Sequence, residues 1–428
     1  MTTTTATLDG YFKERYADTG LVNAIPDDGN DLIASKVRLS AGEKLGDSYH
    51  QPIMLQRPMG WTFAGGATSG TAFALNAGVS GLTKDATVSG VEFVLREQVS
   101  YGTVKRGMSS VEAFGSVFDE TVRRMQESSV FARELSLLYG GSYLGDIEVV
   151  AGSGTTRTWT LTLAGTSPAI WWQFVGGKLD CYSTSSGVPT TKRNTTEPIT
   201  LTAVDIVSAS DNRINLSVSG DATDLTACVA TDLLVPQGAV GNWMTGLFAV
   251  AVNTGTLFGI SAATYPLFKA TSRTASSAQA SMALLLHALK QNTLKSGAGK
   301  RTAMVSLATF TDLNNNVAAL QRFLDRSVKG EVQMGTDAIS FANAKVMLDI
   351  EVHPLMREGQ ALIVDWRSHK RIGSTDHTWS LGVEGSQPRF FRELENQAGF
   401  ELRCYWDQGH YTPRPNSMTL ITNIVNSI

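Results

Sequence analysis

The side chains most capable of chemistry in this chain are few and poorly spaced for it. Ser296-Gly297-Ala298-Gly299-Lys300-Arg301-Thr302 resembles the end of a phosphate-binding loop. The first glycine such a loop requires falls on Leu294, and Arg301 stands where a Ser or Thr would hold magnesium. The segment also leads into a strand-like run, whereas a phosphate loop follows a strand and opens a helix, so a basic helix–strand turn is expected. Six histidines (His50, His287, His353, His369, His377 and His410) show no His-Glu-x-x-His spacing. His287 follows Leu286 in a helical run and reads as a core or interface residue. His369 and His377 lie near Asp365 and Asp376, which offers at most an acid–base pair on a surface turn. Cys181, Cys228 and Cys404 are odd in number and far apart, so neither a disulfide framework nor a zinc site is expected. Asp27-Asp28-Gly29-Asn30-Asp31 lacks the alternating order and distal Glu of a calcium loop and reads as a solvated turn. The chain is therefore expected to be non-enzymatic, with no metal and no cofactor.

Composition points elsewhere. Hydrophobic residues make up 42% of the 428, enough for a real core, while charged residues are only 18%. A chain with so little charge, rich in Gly, Ser and Thr, suits surfaces that neighbours will cover. The net charge of −3 leaves no concentrated basic face for neutralising phosphates, which excludes a dedicated nucleic-acid binder. A container wall for DNA needs no such face. The residues after Met1 form no signal peptide, no run reaches a membrane span, and the thiols suit a reducing cytoplasm. The Asn194-Thr195-Thr196 and Asn215-Leu216-Ser217 sequons are accordingly read as coincidental.

The elements follow in order. Residues 1–55 carry scattered apolar positions and read as an extended arm with a short helix. Residues 56–107 read as a long hairpin, with an uncharged glycine-rich tip around Trp61-Thr62-Phe63-Ala64-Gly65-Gly66 and flanking runs Val91–Leu95 and Val99–Val104. Ser109-Ser110-Val111-Glu112 then offers a capping box, and Val111, Phe114, Phe118, Val122, Met125, Leu135 and Leu138 continue at helical spacing to Gly140-Gly141. Such a helix is roughly 45 Å long. Its other face carries Asp119, Glu120, Arg123, Arg124 and Glu127. Residues 146–238 change to short β-branched runs between Gly, Ser and Asn turns, read as an inserted all-β barrel or sandwich. Mixed α/β texture fills 239–335, with helices near 276–291 and around Leu313–Leu324, and strands dominate 336–428.

Three segments give this order a family likeness: Glu134-Leu135-Ser136-Leu137-Leu138-Tyr139-Gly140; Asn253-Thr254-Gly255-Thr256-Leu257-Phe258-Gly259-Ile260 with Tyr265-Pro266-Leu267-Phe268-Lys269-Ala270; and Val352-His353-Pro354-Leu355-Met356-Arg357-Glu358-Gly359-Gln360-Ala361 with Arg371-Ile372-Gly373-Ser374. They resemble the spine helix, the entry to the axial domain and the return to the peripheral domain of tailed-phage major capsid proteins. The resemblance implies an α+β Hong Kong 97-like (Johnson) fold: N-terminal arm, extended loop hairpin over a neighbouring subunit, spine helix over 108–145, axial domain over 239–335 around fivefold and sixfold axes, peripheral strands over 336–428, and the β module as a brace or decoration. It implies an icosahedral shell of pentamers and hexamers around double-stranded DNA held without specific binding, assembled in the host cytoplasm, with a portal, a decoration protein and no membrane. Since the sequence starts directly in the arm, a separate scaffolding protein is expected.

On this reading the inter-subunit contacts are Trp61, Phe63, Phe73, Lys84, Arg106, Arg123 and Arg124. Some family members crosslink a loop lysine to an asparagine; Lys84 is the lysine of the hairpin tip, but no matching partner stands out and no crosslink is expected. Deleting 62–88 is expected to leave a folded subunit that forms no shells. Two alternatives remain at this point: an encapsulin-type compartment of the same fold, and a β-rich adhesin stacking sugars on Trp159, Trp171 and Trp172.

Overall fold

The computed structural model describes residues 31–40, 48–63, 72–102, 111–185, 187–208, 213–324, 338–343, 346–379, 392–394 and 397–426, without side chains for 111–120 and a few further positions. Mixed α and β elements form several sheets around one dominant helix.

That helix, Val111–Tyr139, has 29 residues, about 43 Å at 1.5 Å per residue. Met125, Phe131, Leu135 and Leu138 face inward, as their spacing requires, while Arg123 and Arg124 face solvent. The expected capping box at Ser109 lies outside the described residues. At the other end the chain turns at Gly141, in a left-handed conformation (φ +72°).

Met125 packs against a four-stranded sheet through Leu402 and Cys404. The sheet centres on Gly399–Tyr411, which pairs antiparallel with Val91–Ser100, with Lys370–Thr378 and with Arg392–Glu393. Val91–Ser100, expected to flank the hairpin, therefore belongs to this sheet, matched over ten residues from Gly399↔Ser100 to Gln408↔Val91. The hairpin strands are instead Tyr49–Gln56 and Leu82–Val88, from Tyr49↔Val88 to Gln56↔Leu82. Alternation alone cannot say which of two candidate strands a distant third one will claim.

A six-stranded mixed sheet runs in the order Thr271–Thr274, Thr419–Thr422, Ala361–Val364, Lys300–Val305, Val346–Val352, Ala338–Asn343. Helices Met282–Ser296 and Leu307–Leu324 cover it, with Leu285, Leu289 and Leu313 against Val305, Ile350 and Ile363. Residues on both sides of position 335 thus build one sheet. The Ser296–Thr302 segment is the turn from helix to strand, and Arg301 is buried there on Asp365 at 2.5 Å.

The inserted segment forms one antiparallel sheet of eight strands between Gly145 and Pro236, among the described residues, and the stretch 144–151 bonds to Leu233–Leu234 at its start and to Thr158–Thr160 at its end, so the sheet closes on itself as a barrel. Its apolar face (Trp159, Leu161, Ile199, Leu201, Ile214, Leu216) packs with Trp171 and Leu225 from the short helices Pro168–Gln173 and Ala222–Ala227. This core is continuous with that of Leu137, Tyr139 and Phe248, so the insertion is built into the body.

The described part of the arm packs on the body. Within the described part, helix Leu32–Lys36 buries Ile33 and Ala34, and Val37 joins the main core. Short sequence segments look too sparse to pack when the surface receiving them is made of distant residues.

Candidate assembly surface

Beyond Gln56 and Leu82 the hairpin continues as a ribbon. Met59 N–H donates to the Val79 carbonyl at 3.2 Å. Asn76 donates from its side-chain amide to the Trp61 carbonyl at 2.8 Å and from its backbone to Thr62 Oγ1 at 2.9 Å. The ribbon is therefore held in shape, yet its apolar side chains cover nothing. Trp61 is 64% exposed, Phe63 87%, Phe73 52% and Leu75 78%, with Met59 and Val79 also exposed. Trp61 and Phe63 meet edge to face at 6.4 Å. From Pro58 to Thr83 there is no charged residue. Contiguous exposed apolar surface of this kind marks an interaction site.

The base is anchored. Ala86 and Val88 are buried, Thr87 N–H donates to the Phe258 carbonyl at 2.9 Å, and Tyr411 packs edge-on against both Tyr49 (5.8 Å) and Phe258 (5.2 Å). A deletion over 62–88 would thus remove core residues along with the tip. Lys84 is exposed opposite Ile53 in the ribbon. Arg123 and Arg124 lie apart on the long helix, where Arg123 approaches Glu127 at 3.6 Å. Arg106 lies outside the described residues. The structure brings Trp61 and Phe63 together and leaves Arg123 and Arg124 on a separate element.

Sequence reasoning missed a hydrogen-bond chain at the hairpin base. His50 Nδ1 lies 2.8 Å from Asp85 Oδ2, and His50 Nε2 lies 2.8 Å from Ser48 Oγ. This is the order of a hydrolase relay, and Ser48 and His50, two apart on one strand, were its only sequence signal. His50 and Asp85 are more than half exposed on a two-stranded ribbon, so bulk water removes the dry, preorganised setting such relays depend on. Its effect here is to tie the two strands together.

The other histidines are structural. His353 Nδ1 accepts from Leu355 N–H at 3.2 Å, which leaves the proton on Nε2, 3.1 Å from Glu134 Oε1. His369 and His410 stack at 5.1 Å. His410 Nδ1 donates to the Thr245 carbonyl at 2.8 Å, so its Nε2 accepts from His369 Nδ1 at 2.9 Å. Burial holds His369 well below the usual imidazole range, with His410 adding to it. Burial likewise lowers His410 to about 4, offset in part by the Thr245 bond. His377 contacts Ser129 at 3.0 Å, and burial followed by the Arg133 charge brings it to about 4. The acid–base pairing considered for His369 and His377 gives way to these contacts, because Asp365 is taken by Arg301 and Asp376 by Arg133 and Arg371. His287 is exposed beside Arg273, not a core residue.

Asp31, from the acidic cluster, pairs with Arg133. All three cysteines are buried free thiols, and no group of metal-ligating residues occurs among the described residues. No described helix is long and apolar enough to cross a membrane. Trp159 and Trp171 are fully buried and only Trp172 is exposed, which removes the paired platform an adhesin would need.

No protein-family model matches the chain, and no curated protein matches it. Solved structures similar to it along nearly its whole length include the capsid asymmetric unit of cyanophage A-1(L), with TM-score 0.48 and 11% identity over 96% of this chain and 95% of that one. Others are the capsid of an empty GTA particle computed with C5 symmetry (TM-score 0.45, 7% identity, 98% of each chain) and a structure from Mycobacterium phage Adephagia (TM-score 0.45, 11% identity, 100% of each chain).

Proposed function

We propose that this chain is the major capsid protein of a tailed bacteriophage, a structural subunit that assembles through symmetric contacts into an icosahedral shell around double-stranded DNA. The observation that carries this reading is the ribbon beyond Gln56: a shaped, uncharged tip with six large apolar side chains in solvent, on a base locked into the core. An isolated protein gains nothing from holding Trp61, Phe63, Phe73 and Leu75 in water. A neighbouring copy that covers them gains about 1.5–3 kcal/mol for each one fully buried, less the cost of association. Many such modest contacts allow errors to be corrected during growth and still hold a finished shell.

In this reading Val111–Tyr139 is the spine, the six-stranded sheet with its two helices supplies the contacts around the symmetry axes, and the inserted sheet braces the subunit. Trp61, Phe63, Phe73 and Lys84 contact one neighbour; Arg106, Arg123 and Arg124 contact others. A separate scaffolding protein, a portal and a decoration protein complete the particle, assembled in the host cytoplasm. The near-neutral wall encloses DNA without gripping it.

The test is to remove Met59–Val79 and join Pro58 to Ser80 through Asn-Gly, which spares Ala86 and Val88. The expected product is soluble, with unchanged circular dichroism, and gives no shells in negative-stain microscopy where the intact chain gives them. Normal shells from the shortened chain overturn the assignment. Double-stranded DNA inside the particles, in place of a protein cargo, separates a phage capsid from an encapsulin.

A further inference from the structure

Thr256–Leu257 and Ile260–Ser261 pair antiparallel, Thr256↔Ser261 and Leu257↔Ile260, which leaves Phe258 and Gly259 as a two-residue turn. Both are left-handed, with φ +51° and +79°. Asn-Gly makes such a turn most readily, because glycine has no Cβ and the short Asn side chain bonds locally. Phenylalanine has neither advantage. The other described non-glycine residues with positive φ are Asp31, Thr231, Ser276, Ser277 and Asn423, all with polar side chains. Phe258 is the large apolar one among them, so something outside the turn holds it there. In a two-residue turn the carbonyl of the first residue has no partner within the ladder. That of Phe258 accepts Thr87 N–H from the second ribbon strand at 2.9 Å. Gly259 lies against the same strand, since a Cβ on it would come 4.0 Å from the Asp85 carbonyl oxygen. The Phe258 ring stands edge-on to Tyr411 at 5.2 Å, and Tyr411 meets Tyr49, the first residue of the first ribbon strand, at 5.8 Å. One strained residue thus holds both strands of the ribbon base, the second directly and the first through the end of strand Gly399–Tyr411.

We propose that the Phe258-Gly259 turn is a seat that sets the direction in which the ribbon leaves the body, with Phe258 as a positioning residue for assembly. The proposal rests on the shell reading and names what aims the apolar tip. A lone two-stranded ribbon is marginal in water, so its bearing must come from whatever grips its base. Leverage makes that grip matter. Trp61 stands up to roughly 40 Å of chain beyond Tyr49 at about 3.3 Å per residue, so a tilt of about 10° at the base moves it about 7 Å. A shift of that size takes an aromatic side chain out of any site shaped to receive it. A preferred Asn at position 258 would relax the turn and give up the ring contact with Tyr411. The strain is therefore tolerated for the sake of the ribbon, because the turn alone gains nothing from it.

Phe258→Asn supplies the residue that the turn prefers and removes the ring. On the unassembled subunit, amide exchange across 49–56 and 82–88 is expected to quicken by at least about tenfold more than across 300–305 and 419–422. A residue that merely filled the core would quicken all four stretches alike. Shell yield is expected to fall to about a tenth, since a misaimed tip loses its apolar burial on every neighbour. Phe258→Tyr keeps the ring and is expected to restore both readings. Should Phe258→Asn be insoluble, Phe258→Leu, which keeps apolar bulk without the ring, is read in the same way. If exchange quickens equally everywhere, or not at all, or if the variant without the ring builds shells at normal yield, the seat is overturned while the shell reading stands. If the unsubstituted chain forms no shells under any assembly condition, the shell reading falls and the assembly role of Phe258 with it.

Discussion

The Glu134 carboxylate accepts the backbone N–H of Ile33 at 2.5 Å, joining the end of the long helix to a segment 101 residues earlier in the chain. Ala34 N–H adds a second donor at 3.3 Å and His353 Nε2 a third at 3.1 Å, and Glu134 is fully buried. Next to it, Arg133 bridges Asp31 and Asp376, and Arg371 holds the Val37 carbonyl. The described part of the arm is thus anchored to the body.

Glu134→Ala strips three buried donors of their acceptor at once. The expected loss is about 3 kcal/mol of unfolding free energy, read from urea denaturation of the unassembled subunit. Glu134→Gln keeps one acceptor oxygen but turns an N–H₂ group toward the other donors, so an intermediate loss is expected. Cleavage by a dilute protease N-terminal to residue 40 should quicken in the same order. A loss under about 0.5 kcal/mol for the alanine variant would show that the anchor is dispensable.

Acid should weaken the fold through its buried imidazoles. Burial depresses His369, His410 and His377 below the ordinary value of 6.5, the last two to about 4. Between those values the unfolded chain takes up protons that the folded chain refuses. Their contribution to stability is therefore complete above pH 6.5 and declines as pH falls toward 4, by on the order of 3 kcal/mol for His410 alone. Urea midpoints should drop from pH 7 to pH 5, and His410→Asn should flatten that slope while lowering the pH 7 value. A flat profile in the unsubstituted protein contradicts the neutral, stacked His369–His410 pair.

Glu358 runs the other way. Burial alone raises its carboxyl to about 7, so the folded chain holds a proton that the unfolded chain releases above pH 4.5. Its contribution is present below 4.5 and is lost as pH rises through 7. Glu358→Gln should consequently stabilise the subunit at pH 8, by of order 1 kcal/mol after allowance for partial exposure, and change nothing at pH 4. Equal effects at both pH values would show that the substitution acts through packing and not through charge.

What the sequence disclosed is what local spacing controls. The helix through Met125 and Leu138, its stop at Gly141 and the uncharged ribbon at Trp61 each follow from residues within a few turns of one another. What stayed hidden depends on residues hundreds of positions apart. Nothing near Val91 announces that Gly399–Tyr411 will pair with it, and nothing near Ile33 announces Glu134. The inserted sheet showed its strands by alternation, but nothing near Gly145 announces that the stretch 144–151 will bond to strands on both sides and close it. Of the assembly residues, the ribbon aromatics were visible because apolar side chains among glycines have no local core to enter.

Gly140 offers the sharpest test of how the long helix is seated. Its neighbour Gly141 makes the left-handed turn, whereas Gly140 is needed for space. A Cβ there would sit 1.9 Å from the Met244 carbonyl oxygen and 2.5 Å from that of Ser136, both backbone atoms. Gly246 meets the same constraint from the facing strand of chain: its N–H donates to the Gly140 carbonyl at 2.7 Å, and a Cβ on it would lie 2.5 Å from Gly140 N. The helix end and the 244–246 loop thus touch backbone to backbone, and this contact places Leu247 and Phe248 in the core beside Tyr139. Neither backbone can yield by rotating a side chain. Gly140→Ala should therefore cost several kcal/mol, at or beyond the roughly 3 kcal/mol upper range for overpacking a core, and the subunit should be largely insoluble at 37 °C. Gly141→Ala serves as the control, since its expected cost of roughly 1–2 kcal/mol comes chiefly from backbone conformation, the nearest atom to its new Cβ being the Ala249 side chain at 3.2 Å and not a backbone. If Gly140→Ala proves no worse than Gly141→Ala in urea denaturation, the close seating of the helix on the 244–246 loop is refuted.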